Sequence, residues 1–117
     1  MRHRKEGKKF HRLAGRRRSF LRNLESDLIR SGKIETTVIR AKAVKPKVER
    51  LITIAKKQTL ASRRLLLSRL HNPKVVKKLY EEIALRYADR KGGYLRITKL
   101  GKTRKRDGSK TATIEFV

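Results

Sequence analysis

The chain has 117 residues, with 35 Lys plus Arg against 10 Asp plus Glu and a formal net charge of +25. This length fits one domain, and the charge points to a polyanionic partner such as nucleic acid. Cysteine is absent, which excludes disulfides and thiolate metal sites, and the longest aliphatic run, Leu65 to Leu67, is too short to span a membrane.

A basic arm begins the chain, and the first 22 residues carry ten Lys or Arg and one acid, Glu6. Phe10 and Leu13 are almost the only apolar side chains before Phe20, so the arm lacks a helical apolar period. Because so little apolar surface can be buried, we expect the arm to be disordered alone and ordered only against phosphates. We divide the chain into an arm at 1–16 and a domain at 17–117. The arm has no apolar core typical of a secretory signal.

The apolar period begins with Phe20, Leu21, Leu24 and Leu28 and predicts a helix over residues 17–31, ended by Gly32. Residues 33–39 are rich in β-branched side chains and predict a short strand. A second helix follows to about residue 58. It begins either near residue 45, with Pro46 in its first turn, or near residue 40 with a bend, and the apolar continuity favours the earlier start.

Thr59 is a candidate N-cap for a third helix that ends at Leu70, and Asn72-Pro73 predicts the start of a fourth. Alternating residues at 94–100 and 111–117 predict a β-hairpin joined by a basic loop at 99–110. One hairpin face should pack on the helices and the other stay polar. The expected inward residues are Leu95, Ile97, Ala112, Ile114 and Phe116, and the expected outward ones are Tyr94, Arg96, Thr98, Thr111 and Thr113. The fold class is therefore α+β, with helices on one face of a small mixed sheet.

Catalytic chemistry has little support, because the only histidines, His3, His11 and His71, have no acid or nucleophile at a spacing that suggests a relay. We predict no enzyme activity, no metal, no cofactor and no small-molecule substrate. The arm, the basic loop and the Arg63-Arg64 pair are the candidate nucleic-acid contacts, since the planar guanidinium of Arg suits phosphate oxygens. Without a helix-turn-helix or zinc-finger spacing, we expect shape-and-phosphate binding rather than base readout.

The chain closely resembles the bacterial ribosomal large-subunit protein family seventeen. The opening MRHRKEGKKF, the run RNLESDLIRSGKIETTVIRAKAVKPKVERLITIAKK, and the later segments LASRRLLL, KLYEEIALRYADRKGGYLRI and DGSKTATIEFV carry the resemblance in order along the whole chain. It departs at LAGRRRS, where the family has a Ser-rich stretch, and at Leu95, where Thr is commoner. The resemblance implies a structural component of the cytoplasmic ribosome that binds large-subunit RNA near the nascent-chain tunnel exit.

The resemblance also implies neighbouring large-subunit proteins as partners and a monomer within the particle, with no membrane association. The alternative function, from another class, is a basic DNA-compacting architectural protein. The residues we predict to contact RNA are Arg2, His3, Arg4, Lys5, Lys8, Lys9, His11, Arg12, Arg16, Arg17, Arg18, Arg22, Thr36, Thr37, Lys42, Arg63, Arg64, Arg96, Lys102, Arg104, Lys105 and Arg106.

Overall fold

Helices cover one face of a three-stranded sheet in the computed structural model, which describes residues 8–117. A π-helical turn, Leu79–Ile83, joins the helical segments Pro73–Lys78 and Ala84–Arg86 into one continuous fourth helical region. The α+β prediction is thereby confirmed. The elements are α1 (Ala14–Ser31), β1 (Lys33–Thr37), α2 (Val38–Lys56), α3 (Leu60–Leu70), α4 (Pro73–Lys78), α5 (Ala84–Arg86), β2 (Leu95–Thr103) and β3 (Lys110–Phe116).

The sheet has the order β1-β3-β2, and both pairings are antiparallel. Our expectation of a mixed sheet was wrong, because β3 lies between β1 and β2 and is antiparallel to both. Ile34, Ile114 and Ile97 lie opposite one another across the three strands. The register therefore directs one apolar row from every strand toward the helices.

The first helix begins at Ala14, three residues before the predicted start, and ends where predicted. Gly32 adopts φ 78° and donates its backbone N–H to the Leu28 carbonyl at 2.7 Å. A left-handed residue at this position closes the helix at low cost only when it is glycine. Leu28 and Ile29 are fully buried, so this end of α1 is fixed in the core.

The second helix begins at Val38, which confirms the earlier of the two alternative starts and ends the predicted strand two residues sooner. The Thr37 hydroxyl accepts a hydrogen bond from the Arg40 backbone N–H at 3.3 Å, as an N-cap does. Pro46 lies inside the helix. Val44 and Val48, on either side of it, are both buried and keep the apolar stripe continuous.

The predicted caps of the next two helices are confirmed. Thr59 and Ser62 exchange side-chain hydrogen bonds with each other's backbone N–H in a capping box. The Asn72 side chain accepts from the backbone N–H groups of Lys74 and Val75, and Pro73 occupies the first helical position. His71 ends α3 in the left-handed region, with φ 56°, so it is a helix terminus.

The hairpin differs from prediction in its loop and in the burial of three side chains that were expected to face outward, Tyr94, Thr111 and Thr113. β2 continues to Thr103 with a bulge after Lys99, so the loop covers 104–109 instead of 99–110. Tyr94 is buried, not outward, because it precedes the strand and its ring packs 5.3 Å from that of Tyr87. Ile114 is fully buried, as predicted, and Thr111 and Thr113 are also buried because β3 is the central strand.

No helix within residues 8–117 is long and apolar enough to cross a membrane.

Candidate nucleic-acid interface

A wide groove lies where residues 8–13, the beginning of α2 and the hairpin tip meet. Its volume, about 1550 Å³, exceeds the roughly 300–1,000 Å³ typical of small-ligand pockets and suits a polymer segment. Eight Lys or Arg and one acid line it, so its charge favours an anionic occupant. The basic lining residues are Lys8, Lys9, Arg12, Arg40, Lys42, Lys99, Arg104 and Lys110, and the acid is Asp107.

The arm is attached to the domain through Phe20. The Phe10 ring meets the Phe20 ring edge-on at 5.5 Å, and the Arg12 guanidinium lies 3.9 Å from the Phe20 centroid. Arg12 also donates from Nη1 to the Phe10 carbonyl at 3.0 Å. Residues 10–12 are thus held at the groove wall by aromatic and cation–π contacts. The division of the chain into an arm and a domain stays a prediction.

Arg40, on the α2 wall of the groove, interacts electrostatically with charged residues on both other walls. Its guanidinium lies 5.0 Å from the Phe20 centroid, on the first turns of α2. Burial lowers the pKa of Arg40, and the positive charges of Arg104 and Arg12 lower it further, against the opposing effect of Asp107. Mutual repulsion among the three guanidiniums would be relieved by a bound anion.

An Arg–Asp pair shapes the hairpin tip. Arg104 donates to Asp107 from both Nε, at 3.1 Å, and Nη2, and Asp107 Oδ1 also accepts from the Ser109 backbone N–H at 3.1 Å. These bonds hold the pKa of Asp107 well below its usual value, and Asp107 raises the pKa of Arg104. The exposed Lys105 and Arg106 lie within this tip and face solvent.

A second, smaller basic hollow lies between α1, α2 and α3. Arg22 donates from Nε to the Arg69 carbonyl at 3.1 Å and links α1 to the end of α3. Glu25 is buried within this hollow, and burial raises its pKa despite the opposing charges of Lys47, Arg22 and Arg69. The cations that line the hollow are Arg17, Arg18, Arg22, Lys47, Arg50 and Arg69.

The structure separates the predicted contact residues into several groups. The wide groove contains Lys8, Lys9, His11, Arg12, Thr37, Lys42 and Arg104. The second hollow contains Arg17, Arg18 and Arg22. Exposed positions elsewhere hold Arg16, Arg63, Arg64, Lys105 and Arg106, with Arg63 stacked 5.6 Å from the Tyr80 ring centroid. Arg2, His3, Arg4 and Lys5 lie outside the described residues.

Four of the predicted contact residues have structural roles within the fold: two form ion pairs, one caps a helix and one is half-buried in the sheet. Arg96 pairs with Glu115 at 3.3 Å, and Lys102 pairs with Glu35 at 3.0 Å, both on the outer sheet face. Glu115 also lies 3.9 Å from Lys33. The Thr37 hydroxyl caps α2, and Thr36 is half-buried opposite Ala112. The outer sheet face is therefore more nearly charge-balanced than the groove.

Arg40 was not among the predicted contacts, although it lines the groove. Lys99 and Lys110 also line it; they belong to the predicted basic loop at 99–110 but were not named individually as contacts. Lys47, Arg50 and Arg69 were likewise missed in the second hollow. The sequence around Arg40 could have indicated its place in the first turn of a helix, since it follows a Thr-Thr pair that can cap a helix. Lys47 and Arg50 lie on α2 and Arg69 lies on α3, and they meet the cations of α1 only through tertiary packing. Within residues 8–117, no group of His, Asp and Glu side chains could hold a metal ion.

Comparisons with known proteins agree with this basic α+β structure. Residues 20–117 match the family described as Ribosomal protein L17. The chain is 52% identical over its full length to large ribosomal subunit protein bL17 of Persephonella marina, covering 95% of that protein. It is 50% identical to bL17 of a Sulfurihydrogenibium species and 44% identical to bL17 of Thermus thermophilus, again over the full chain and covering 97% and 99% of them. The chain therefore belongs to the ribosomal protein L17 family and is a structural, non-enzymatic constituent of the large subunit in the cytoplasmic ribosome.

Proposed function

We propose that this chain binds large-subunit ribosomal RNA chiefly through phosphate contacts in the wide groove, with the second hollow as an additional contact. The excess of eight cations over one acid in the groove supports this proposal most directly. Each phosphate that a Lys or Arg neutralises releases condensed counterions, so affinity is driven by charge and is largely independent of base sequence.

We further propose that the chain lies near the exit of the nascent-chain tunnel, as a monomer beside neighbouring large-subunit proteins. The position follows from the resemblance that its motifs carry. The absence of cysteine makes a direct experiment possible, because one introduced thiol is unique. A crosslinker attached to Lys105→Cys should react with large-subunit RNA in purified subunits. A stalled nascent chain that crosslinks to no surface position of this protein would contradict the location.

An RNA titration tests the mode of binding. If six to ten phosphates are neutralised, affinity should fall by about 10³ to 10⁵ between roughly 50 and 200 mM salt. Arg40→Ala should weaken binding, whereas Lys77→Ala should change it much less, because Lys77 is exposed and lies outside both basic depressions. A shallow salt slope, or equal effects of the two substitutions, would contradict phosphate binding in the groove.

The competing function, DNA compaction, is distinguished by sedimentation. The proposed function requires stoichiometric presence in large subunits after a high-salt gradient. A chain that sediments with chromosomal DNA and is depleted from large subunits would support the alternative.

A further inference from the structure

The cationic groove contains two exposed aliphatic side chains. Leu13 is 74% exposed and Ile39 is 58% exposed, and both line the groove whose remaining walls carry eight Lys or Arg. A single exposed apolar residue needs no explanation. Two of them in one groove, on different walls, place exposed aliphatic surface among eight cations.

Neither the helix nor the core accounts for Leu13. It is the N-cap of α1, with φ −64° and ψ 153°, and its side chain makes no capping hydrogen bond. Leucine is among the poorest residues at this position, where Ser, Asp or Asn would satisfy a free backbone N–H. Its exposure also excludes a packing role. Within residues 8–117 little covers this side chain, which leaves it open to a ligand in the groove.

Ile39 lies on the opposite wall, two residues after the Thr37 cap of α2. The apolar stripe of α2 begins with the buried Ala41 and Val44, so Ile39 belongs to the groove and not to the core. Arg40 and Lys42, its neighbours on the same helix, line the same groove. The α2 wall thus offers an aliphatic side chain beside two cations.

We propose that the groove receives one unstacked nucleotide of RNA, whose base lies against Leu13 and Ile39 and whose phosphate lies beside Arg40 and Lys42. This inference rests on the proposed RNA binding. It names the kind of RNA that the groove prefers, one with an unpaired or bulged nucleotide. Phosphate contacts alone would give no such preference.

A nucleotide in a continuous duplex does not fit this chemistry. Paired bases are stacked inside the helix, so a duplex presents phosphates and riboses to the groove and leaves the aliphatic side chains against polar groups. An unstacked nucleotide presents a base face and a phosphate together. An acidic peptide with leucine side chains would also combine the two properties. The cation excess and the large-subunit family favour RNA, and the experiment below includes the peptide.

The test uses the full chain and two RNA hairpins that share the same stem and loop and differ by one nucleotide, a bulged 2-aminopurine that is present in one and absent from the other. The parent protein should bind the bulged hairpin about fivefold more tightly, as expected from burial of a small apolar area. Ile39→Ser should remove this preference, so that the ratio of the two affinities falls to about one. Leu85→Ser is the matched control, because Leu85 is equally exposed and lines neither basic depression.

Leu13→Ser separates binding from folding. Serine can cap α1, so the variant should melt at a higher temperature and still lose the preference for the bulged hairpin. Equal affinity of the parent for both hairpins, or a preference that survives Leu13→Ser combined with Ile39→Ser, would overturn the proposal. Equal RNA affinities together with Ile39-dependent binding of an acidic leucine-containing peptide would overturn it in favour of a protein partner. Failure of the proposed RNA binding itself is distinguishable, since neither hairpin would then bind with a steep salt dependence.

Discussion

Gln58 donates a hydrogen bond from its side-chain Nε2 to the backbone carbonyl of Tyr80, 2.9 Å away, inside the π-helical turn. The same nitrogen donates to the Ala55 carbonyl at 2.8 Å. Gln58 reaches this position with φ 53°, a left-handed backbone that non-glycine residues adopt at a cost. One side chain thus joins the end of α2 to the irregular turn of the fourth helical region.

Replacement of Gln58 should separate its two effects on stability. Gln58→Ala should lower the free energy of unfolding by about 1 kcal/mol, since it removes the hydrogen bonds and retains the unfavourable backbone. Gln58→Gly loses the same bonds and relieves the backbone cost, so it should be about 1 kcal/mol more stable than the alanine variant. Urea denaturation of both variants measures the difference. A glycine variant less stable than alanine would mean that unfolded-state flexibility prevails.

The sheet register should be visible in a pair of substitutions. Ile114→Asp should unfold the domain, because an unpaired charge would be placed in a fully buried site on the central strand. Arg96→Ala should change the free energy of unfolding by less than about 1 kcal/mol, since its pair with Glu115 is exposed. It should also weaken RNA binding less than Arg40→Ala. Thermal melting measures the effects on stability, and RNA titration measures the effects on binding. A folded Ile114→Asp variant would show that the register is displaced.

Phe20 should control the order of the residues beside it. Phe20→Leu keeps apolar volume and loses the ring contacts to Phe10, Arg12 and Arg40, so the free energy of unfolding should fall by only about 1 kcal/mol. The Arg12 backbone N–H, which donates to the Lys9 carbonyl at 3.2 Å, should exchange faster with solvent. Phe20→Tyr is the control because it retains the ring. Unchanged exchange in Phe20→Leu would mean that other contacts hold this segment.

Glu25 should make stability depend on pH in an unusual direction. Its pKa is raised by burial, so the folded state binds a proton more strongly than the unfolded chain, and its contribution to stability decreases as pH rises above the ordinary carboxyl range. Glu25→Gln should therefore be more stable than the parent at pH 7 and equally stable near pH 4. Melting temperatures of both proteins between these values test this. A less stable variant at pH 7 would show that attraction from Arg22, Lys47 and Arg69 exceeds the cost of burial.

Local signals in the sequence were sufficient for most of the fold. Gly32, Thr59 and Asn72 mark helix ends through backbone preferences that act within a few residues, and the structure confirms each of them. The sheet direction was not predictable, because pairing of β1 with β3 depends on contacts about eighty residues apart. The π-helical turn was missed for a similar reason, since Gln58 supports it from the link between α2 and α3, about twenty residues away in sequence.

The candidate site was predictable in its charge and not in its arrangement. Arg12 and Arg104 were selected because basic segments favour phosphate, and both line the groove. Sequence alone gave no reason to place them beside Arg40, since Phe20 and the hairpin tip bring the three together. The ion pairs of Arg96 and Lys102 were likewise invisible, because their partners belong to other strands.

The central position of β3 has a consequence for how the protein is made. Strands β1 and β2 contact each other only through β3, which follows both of them in the chain. During synthesis, β1 leaves the translating ribosome early. Its backbone hydrogen-bonding groups stay unpaired until residues 110–116 have also emerged. The sheet therefore closes in a single late event, when β3 pairs with both of its neighbours at once.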